Sequence, residues 1–133
     1  MERAQCRRVR IVDSLEAARG LFAPALARAR DERLYVAHLD AGRRLIGMRL
    51  RFAAEGEPID FPVRRIIADA VALDSNEVIL AHNHPSGDPT PSITDIETTR
   101  SLLRAARPIG LTIRDHLVFG GDHMVSFRER GLL

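Results

Sequence analysis

The sequence predicts a single α/β domain in which a mixed β-sheet is flanked by helices, and three observations predict it. The chain has 133 residues, 45% of them hydrophobic and 29% charged, the size and proportions of one compact domain. Its apolar residues change repeatedly between a strand-like and a helix-like period, in the order helix, two strands, helix, strand, helix, two strands. Gly, Pro and Asp punctuate those changes, and no internal repeat, low-complexity tract or linker interrupts them. Residues 1–12 are read as an N-terminal tail and 13–133 as the domain.

The first helix begins at Asp13-Ser14-Leu15-Glu16, where Asp13 or Ser14 serves as N-cap and Glu16 is placed to close a capping box. Gly20 and Pro24 predict an interruption, with one helix to about Phe22 and a further turn up to Ala29. Leu34 to Leu39 is a nearly continuous apolar run closed by Asp40-Ala-Gly42, a buried strand ending in a turn. Ile46, Met48, Leu50 and Phe52 then alternate with Gly47, Arg49 and Arg51, giving a half-exposed strand that pairs with the first as a hairpin. Val63, Ile66, Ile67, Ala70 and Val71 return to helical spacing behind Pro62. Val78 to Ala81 is the third strand. A third helix from Ser92 directs Ile93, Ile96, Leu103 and Ala106 to the core and stops at Pro108-Ile-Gly110. Leu111 to Phe119 and Met124 to Phe127 form a terminal hairpin around Gly120-Gly-Asp122.

Composition narrows the function classes. No stretch reaches the ~20 consecutive apolar residues of a membrane helix. The Arg-rich start lacks the apolar run of a signal peptide, so a cytoplasmic protein without membrane association is expected. The single cysteine, Cys6, excludes an internal disulfide and a zinc site of several thiolates, and it has no basic partner that would make it a nucleophile. All 20 basic residues are arginine against 18 acidic ones, and both signs are interspersed. A domain directed at nucleic acid concentrates positive charge on one face.

The chemistry lies in Leu80 to Asp95. His82 and His84 are two apart at the end of a strand and so point to one side, while Asn83 points to the other. A Gly/Pro-rich loop leads to Ser92, which places Asp95 in the first turn of the next helix. Two imidazoles and one carboxylate brought to one point make a three-ligand metal site, and catalytic zinc sites commonly have three protein ligands and one open position. Zinc lowers the pKa of its water from ~15.7 to ~7, so hydrolysis follows. Ser92 is the candidate donor to a developing oxyanion, and it can act as both cap and donor only if its hydroxyl rotates. His38, His116 and His123 take the ordinary reading of a lone histidine, structural or exposed. The adjacent letters His-Asn-His do not match nucleases in which those residues are dispersed, and a zinc deaminase needs cysteines that are absent.

His82-x-His84, seven residues, Ser92, two residues and Asp95 resemble the JAMM motif of the JAB/MPN metalloprotease superfamily. The longer string from His82 to Ser92, with Ile79-Leu-Ala81, Asp115-His116-Leu and Ser126-Phe-Arg-Glu, resembles its RadC branch over about residues 13–133. The resemblance implies a JAB/MPN domain of cytidine-deaminase-like architecture, with His82, His84 and Asp95 on Zn2+ and Ser92 assisting the oxyanion. It also implies an upstream glutamate that holds the nucleophilic water. Glu32, in Glu32-Arg-Leu-Tyr-Val-Ala-His-Leu-Asp40, has the branch's pattern there, with Glu55 and Glu57 as alternatives. Typical RadC proteins carry a helix-hairpin-helix region that this sequence does not contain, which weakens a DNA-repair expectation. Asp115 is either a partner for the outer N–H of a ligand histidine or a charge at a strand's exposed end.

Two functions of different class follow. The first is a zinc-dependent hydrolase of amide bonds, a metallopeptidase or isopeptidase acting on a protein or peptide substrate. The second is a DNA-associated accessory protein of repair or recombination whose metal site is structural or vestigial. A homodimer is left open by the free strand edges of a small mixed sheet.

Overall fold

The computed structural model describes residues 9–52 and 61–133; Cys6, Glu55 and Glu57 lie outside them. Helix α1 (Leu15–Leu26) starts at Ser14, whose side chain accepts from the Ala17 N–H at 3.0 Å. It runs unbroken through Gly20 and Pro24, where the sequence predicted an interruption. Pro24 removes only the bond to the Gly20 carbonyl near the end of the helix, and Ala18, Phe22 and Leu26 keep one buried stripe across it. Residues assigned to the tail also join the fold. Val12 is fully buried, and the Arg10 carbonyl and Val12 N–H bond to Leu45 and Arg43.

Strands β1 (Arg33–Leu39) and β2 (Leu45–Phe52) form the expected antiparallel hairpin. The Asp40 carboxylate accepts from the Gly42 and Arg44 N–H groups and closes its turn. Helix α2 (Val63–Ala72), strand β3 (Glu77–Asn83), helix α3 (Ile93–Ala106), strand β4 (Thr112–Gly120) and strand β5 (His123–Ser126) complete the domain. The strand order is β2-β1-β3-β4-β5. Only β3 and β4 run parallel, as the crossover through α3 requires.

This mixed sheet is the middle of three layers. On one face Ala37, Leu39, Ile79, Ala81 and Leu117 pack against Phe22 and Leu26 of α1. On the other, Leu34, Val36, Val78 and Leu80 pack against Ile66 and Ala70 of α2 and Leu102 and Ala106 of α3. Strand alternation then puts His82, two residues after Leu80, on the α2/α3 face and Asn83 on the α1 face.

Two local features decide what reaches the end of β3. Between β3 and β4 the register slips, so that Val78 faces Ile113 while Ile79 faces Asp115. The extra residue, Arg114, inverts the parity of the rest of β4 and turns His116, not Asp115, onto the α2/α3 face. At the far end of β4 a Cβ on Gly120 would lie 2.6 Å from the Pro89 nitrogen and 2.8 Å from the Asp88 carbonyl carbon. Only glycine lets the strand pass beneath the loop after His84.

Those contacts are with backbone atoms, so they cannot be relieved by a rotamer change. Gly120→Ala is expected to lower stability by about 1–3 kcal/mol in chemical denaturation, and an unchanged midpoint would show that the close approach is not needed.

Candidate metal centre

His82, His84 and Asp95 meet at the C-terminal end of β3, as expected from the sequence, and form a cluster able to hold a metal ion. His82 Nε2 lies 3.0 Å from His84 Nε2, and Asp95 Oδ2 lies 3.3 Å from the first and 3.1 Å from the second. Ligands held at ~2.0–2.1 Å around a tetrahedral zinc ion stand about 3.3 Å apart. The spacing of the three atoms therefore fits a small cation.

The hydrogen bonds behind these atoms fix where the protons are. Thr99, one turn after Asp95, donates its hydroxyl to the Asp95 carbonyl at 2.7 Å, and a carbonyl can only accept. Its oxygen consequently accepts from His116 Nδ1 at 2.8 Å. His116 is fully buried, and burial first, then the charge of His82, push its pKa well below the ordinary histidine value, so it is neutral and its Nε2 is bare. That nitrogen accepts from His82 Nδ1 at 2.8 Å, which leaves the lone pair of His82 on Nε2. On the other side His84 Nδ1 donates to the Asp88 carbonyl at 2.8 Å, so a neutral His84 also carries its lone pair on Nε2. Two imidazole lone pairs and a carboxylate oxygen thus face one another.

Three acceptors at such distances need a positive charge among them. A proton can supply it: the hydrogen bond to Asp95 raises the pKa of His84 against the opposing effect of burial, helped by the Asp88 carbonyl and the charges of Asp95 and Glu32. Burial pushes the Asp95 carboxyl up, but its hydrogen bonds with His82 and His84 outweigh this and hold it well below the usual carboxylate range. A metal ion supplies the same charge with the coordination that these donors prefer.

Asp95 is aimed by the helix it opens. Ser92 is the N-cap of α3, its oxygen accepting from the Asp95 N–H at 2.9 Å, while Asp95 Oδ2 accepts from the Ser92 N–H at 2.9 Å. This capping box leaves the Ser92 hydroxyl hydrogen uncommitted, because the cap uses the oxygen only as an acceptor. Of the residues predicted to face inward from α3, Ala106 is buried and Leu103 packs against the core, but the stripe differs at its start. Asp95, Thr99, Leu102 and Ala106 point inward, whereas Ile93 is 75% exposed. The stripe was hidden because two of its four members are polar.

Glu32 precedes β1, in which Leu34 pairs with His82. Glu32 is thus two residues from the one that faces His82, and its charge helps to raise the pKa of His84. Asn83 secures this placement from the α1 side. Its Oδ1 accepts from the Arg33 N–H at 2.8 Å and its Nδ2 donates to the Asp31 carbonyl at 2.9 Å, on either side of Glu32.

Asp115 does not support a ligand histidine. It faces the α1 side of the bulged strand, where it accepts from the Ser126 hydroxyl at 2.6 Å and from the His116 and Arg128 N–H groups. Its neighbour His116 is the partner of His82, packed between Phe61 and Phe127 with ring centroids 5.2 and 4.5 Å away. Sequence reasoning missed His116, Thr99 and Asn83 as parts of the site. A polar residue one turn after Asp95 and a second histidine in a core strand were the available signals.

A three-layer α/β domain that aims two imidazoles and a carboxylate at one point from a strand end and a helix start is compatible with a JAMM-like metal site. The RadC-like JAB domain family matches residues 12–132, and the chain belongs to that family. It is 44% identical over 114 residues to a UPF0758 protein of Symbiobacterium thermophilum, covering 84% of this chain and 48% of that one. A UPF0758 protein of Ruegeria pomeroyi is 33% identical over 133 residues, covering 100% of this chain and 59% of its own. The chain spans about half the length of the curated relatives it matches. Among the described residues no helix is long and apolar enough to cross a membrane.

His116→Phe keeps the ring and removes the acceptor that orients His82. Metal affinity, read by competition with a chromogenic chelator, is expected to fall about 10–100-fold; wild-type affinity in this variant would mean that the ring of hydrogen bonds does not set the lone pair.

Proposed function

We propose that this domain is a zinc-dependent hydrolase of amide bonds, a peptidase or isopeptidase acting on a protein or peptide substrate. The observation that carries the reading is the convergence of two imidazole nitrogens and a carboxylate oxygen on one point, with the Nδ1 atom of each histidine bonded elsewhere. His82, His84 and Asp95 would hold the ion. Two imidazoles and one carboxylate are a donor set of catalytic zinc, which when bound acidifies its water and polarises a carbonyl oxygen.

The chain's own residues do the rest. Glu32, whose charge acts on His84, would serve as the general base that takes a proton from water and returns it to the leaving amine. Asn83 limits how far that carboxylate can move, by holding the main chain on both sides of it. Ser92 retains a free hydroxyl hydrogen at the edge of the cluster and would donate it to the oxygen on which negative charge develops. Phe61 packs its edge against His82, with ring centroids 5.0 Å apart, and keeps water from its buried side.

Elemental analysis and cleavage of tagged peptide and isopeptide substrates test this together. His82→Ala is expected to lose bound zinc. Glu32→Gln is expected to keep it and to lose about 10²–10⁴-fold in rate. Wild-type cleavage by Glu32→Gln contradicts the assignment of the base.

A further inference from the structure

We propose that a cavity on the face of the sheet that carries the metal centre, lined among the described residues by Arg51, Arg64, Arg65, Pro62 and Ala68, binds the carboxylate of an acidic residue in the peptide substrate, about three residues from the bond that is cut. The inference rests on the peptidase reading and adds a specificity to it. The cavity has a volume of about 360 Å3. Among the described residues its three guanidinium groups have no carboxylate partner, in contrast to Arg49 on the same strand, which pairs with Asp69 at 4.0 Å.

Register places this basic cavity on the same face as the metal centre. Arg51 pairs with Leu34, and Leu34 pairs with His82, so the three lie in one row across the sheet. Two strand spacings of ~4.8 Å put the backbones of Arg51 and His82 about 10 Å apart, the length of roughly three residues of extended peptide. Arg49, two residues before Arg51, reaches Asp69 of α2, so Arg51 also faces α2, on the side of the sheet that carries His82.

The arginines are also placed against the preference of their own helix. Arg64 and Arg65 occupy the first turn of α2, which has no acidic residue there and no side-chain cap on Pro62. Cations are unfavourable at that end of a helix dipole, and a bound carboxylate would relieve both the dipole and the mutual repulsion of the guanidinium groups. Among the described residues the cavity gathers three arginines at one place. A nucleic acid would instead call for a basic stripe following a row of phosphates.

The test is fluorescence anisotropy on the whole chain without added metal, using tetramethylrhodamine-labelled Gly-Glu-Glu-Glu-Gly amide, its Gln counterpart and a labelled 20-nucleotide DNA. The acidic peptide is expected to bind about tenfold or more tightly than the Gln peptide. The double variant Arg51→Gln/Arg65→Gln should erase that difference, while Arg19→Gln/Arg107→Gln, an equal loss of charge elsewhere, should leave it. Equal affinity for the two peptides overturns the proposal, as does an equal loss in both double variants. DNA binding that disappears with Arg51 and Arg65 while neither peptide binds assigns the cavity to phosphate instead. Because binding is read without turnover, a protein that binds the acidic peptide here but, once loaded with zinc, cleaves none of the tagged peptide and isopeptide substrates overturns the peptidase reading and leaves the carboxylate site standing.

Discussion

A directed ring of hydrogen bonds governs this molecule. It runs from the Asp95 carbonyl through Thr99 and His116 to His82, and every proton in it has only one place to be. Buried polar groups are costly unless paired, and here each is paired in a way that pushes a lone pair toward the same point. The His84 side reaches the same result through the Asp88 carbonyl. The protein therefore keeps together three acceptors that repel one another, and a cation is what completes the arrangement.

Most of the fold can be understood as what that ring requires. His82 and His116 must lie side by side on neighbouring parallel strands, and the slip at Arg114 achieves this by inverting the second half of β4. Asp95 and Thr99 share a helix face because they are four residues apart, and the capping box at Ser92 holds the Asp95 carboxylate. His84 must turn back over the strand end, which Gly120 permits by having no side chain. Asn83, between the two histidines, faces the opposite layer and anchors the segment that carries Glu32. The alternation of a strand thus points His82 and His84 to the cluster and Asn83 to the segment that carries Glu32.

Much of this was legible in the amino-acid sequence. The order of elements and the pairing of β1 with β2 followed from period and turn chemistry, and the convergence of His82, His84 and Asp95 followed from spacing alone. What escaped was hidden for definite reasons. A bulge leaves no mark in composition, so Asp115 was considered as a partner where its neighbour His116 serves. The inward stripe of α3 contains Asp95 and Thr99, and a search for apolar periodicity passes over a stripe that is half polar. Pro24 was read as a break because local propensity was weighed without the burial of Phe22 and Leu26 on either side of it.

The chain belongs to the RadC-like JAB family, and His82, His84 and Asp95 form a cluster able to hold a metal ion. X-ray absorption at the zinc edge, on protein reconstituted with one equivalent of zinc, tests this most directly. The account predicts a shell of two imidazole nitrogens and one carboxylate oxygen, completed by solvent, at about 2.0–2.1 Å. A shell containing sulfur, or fewer than two imidazoles, would contradict it.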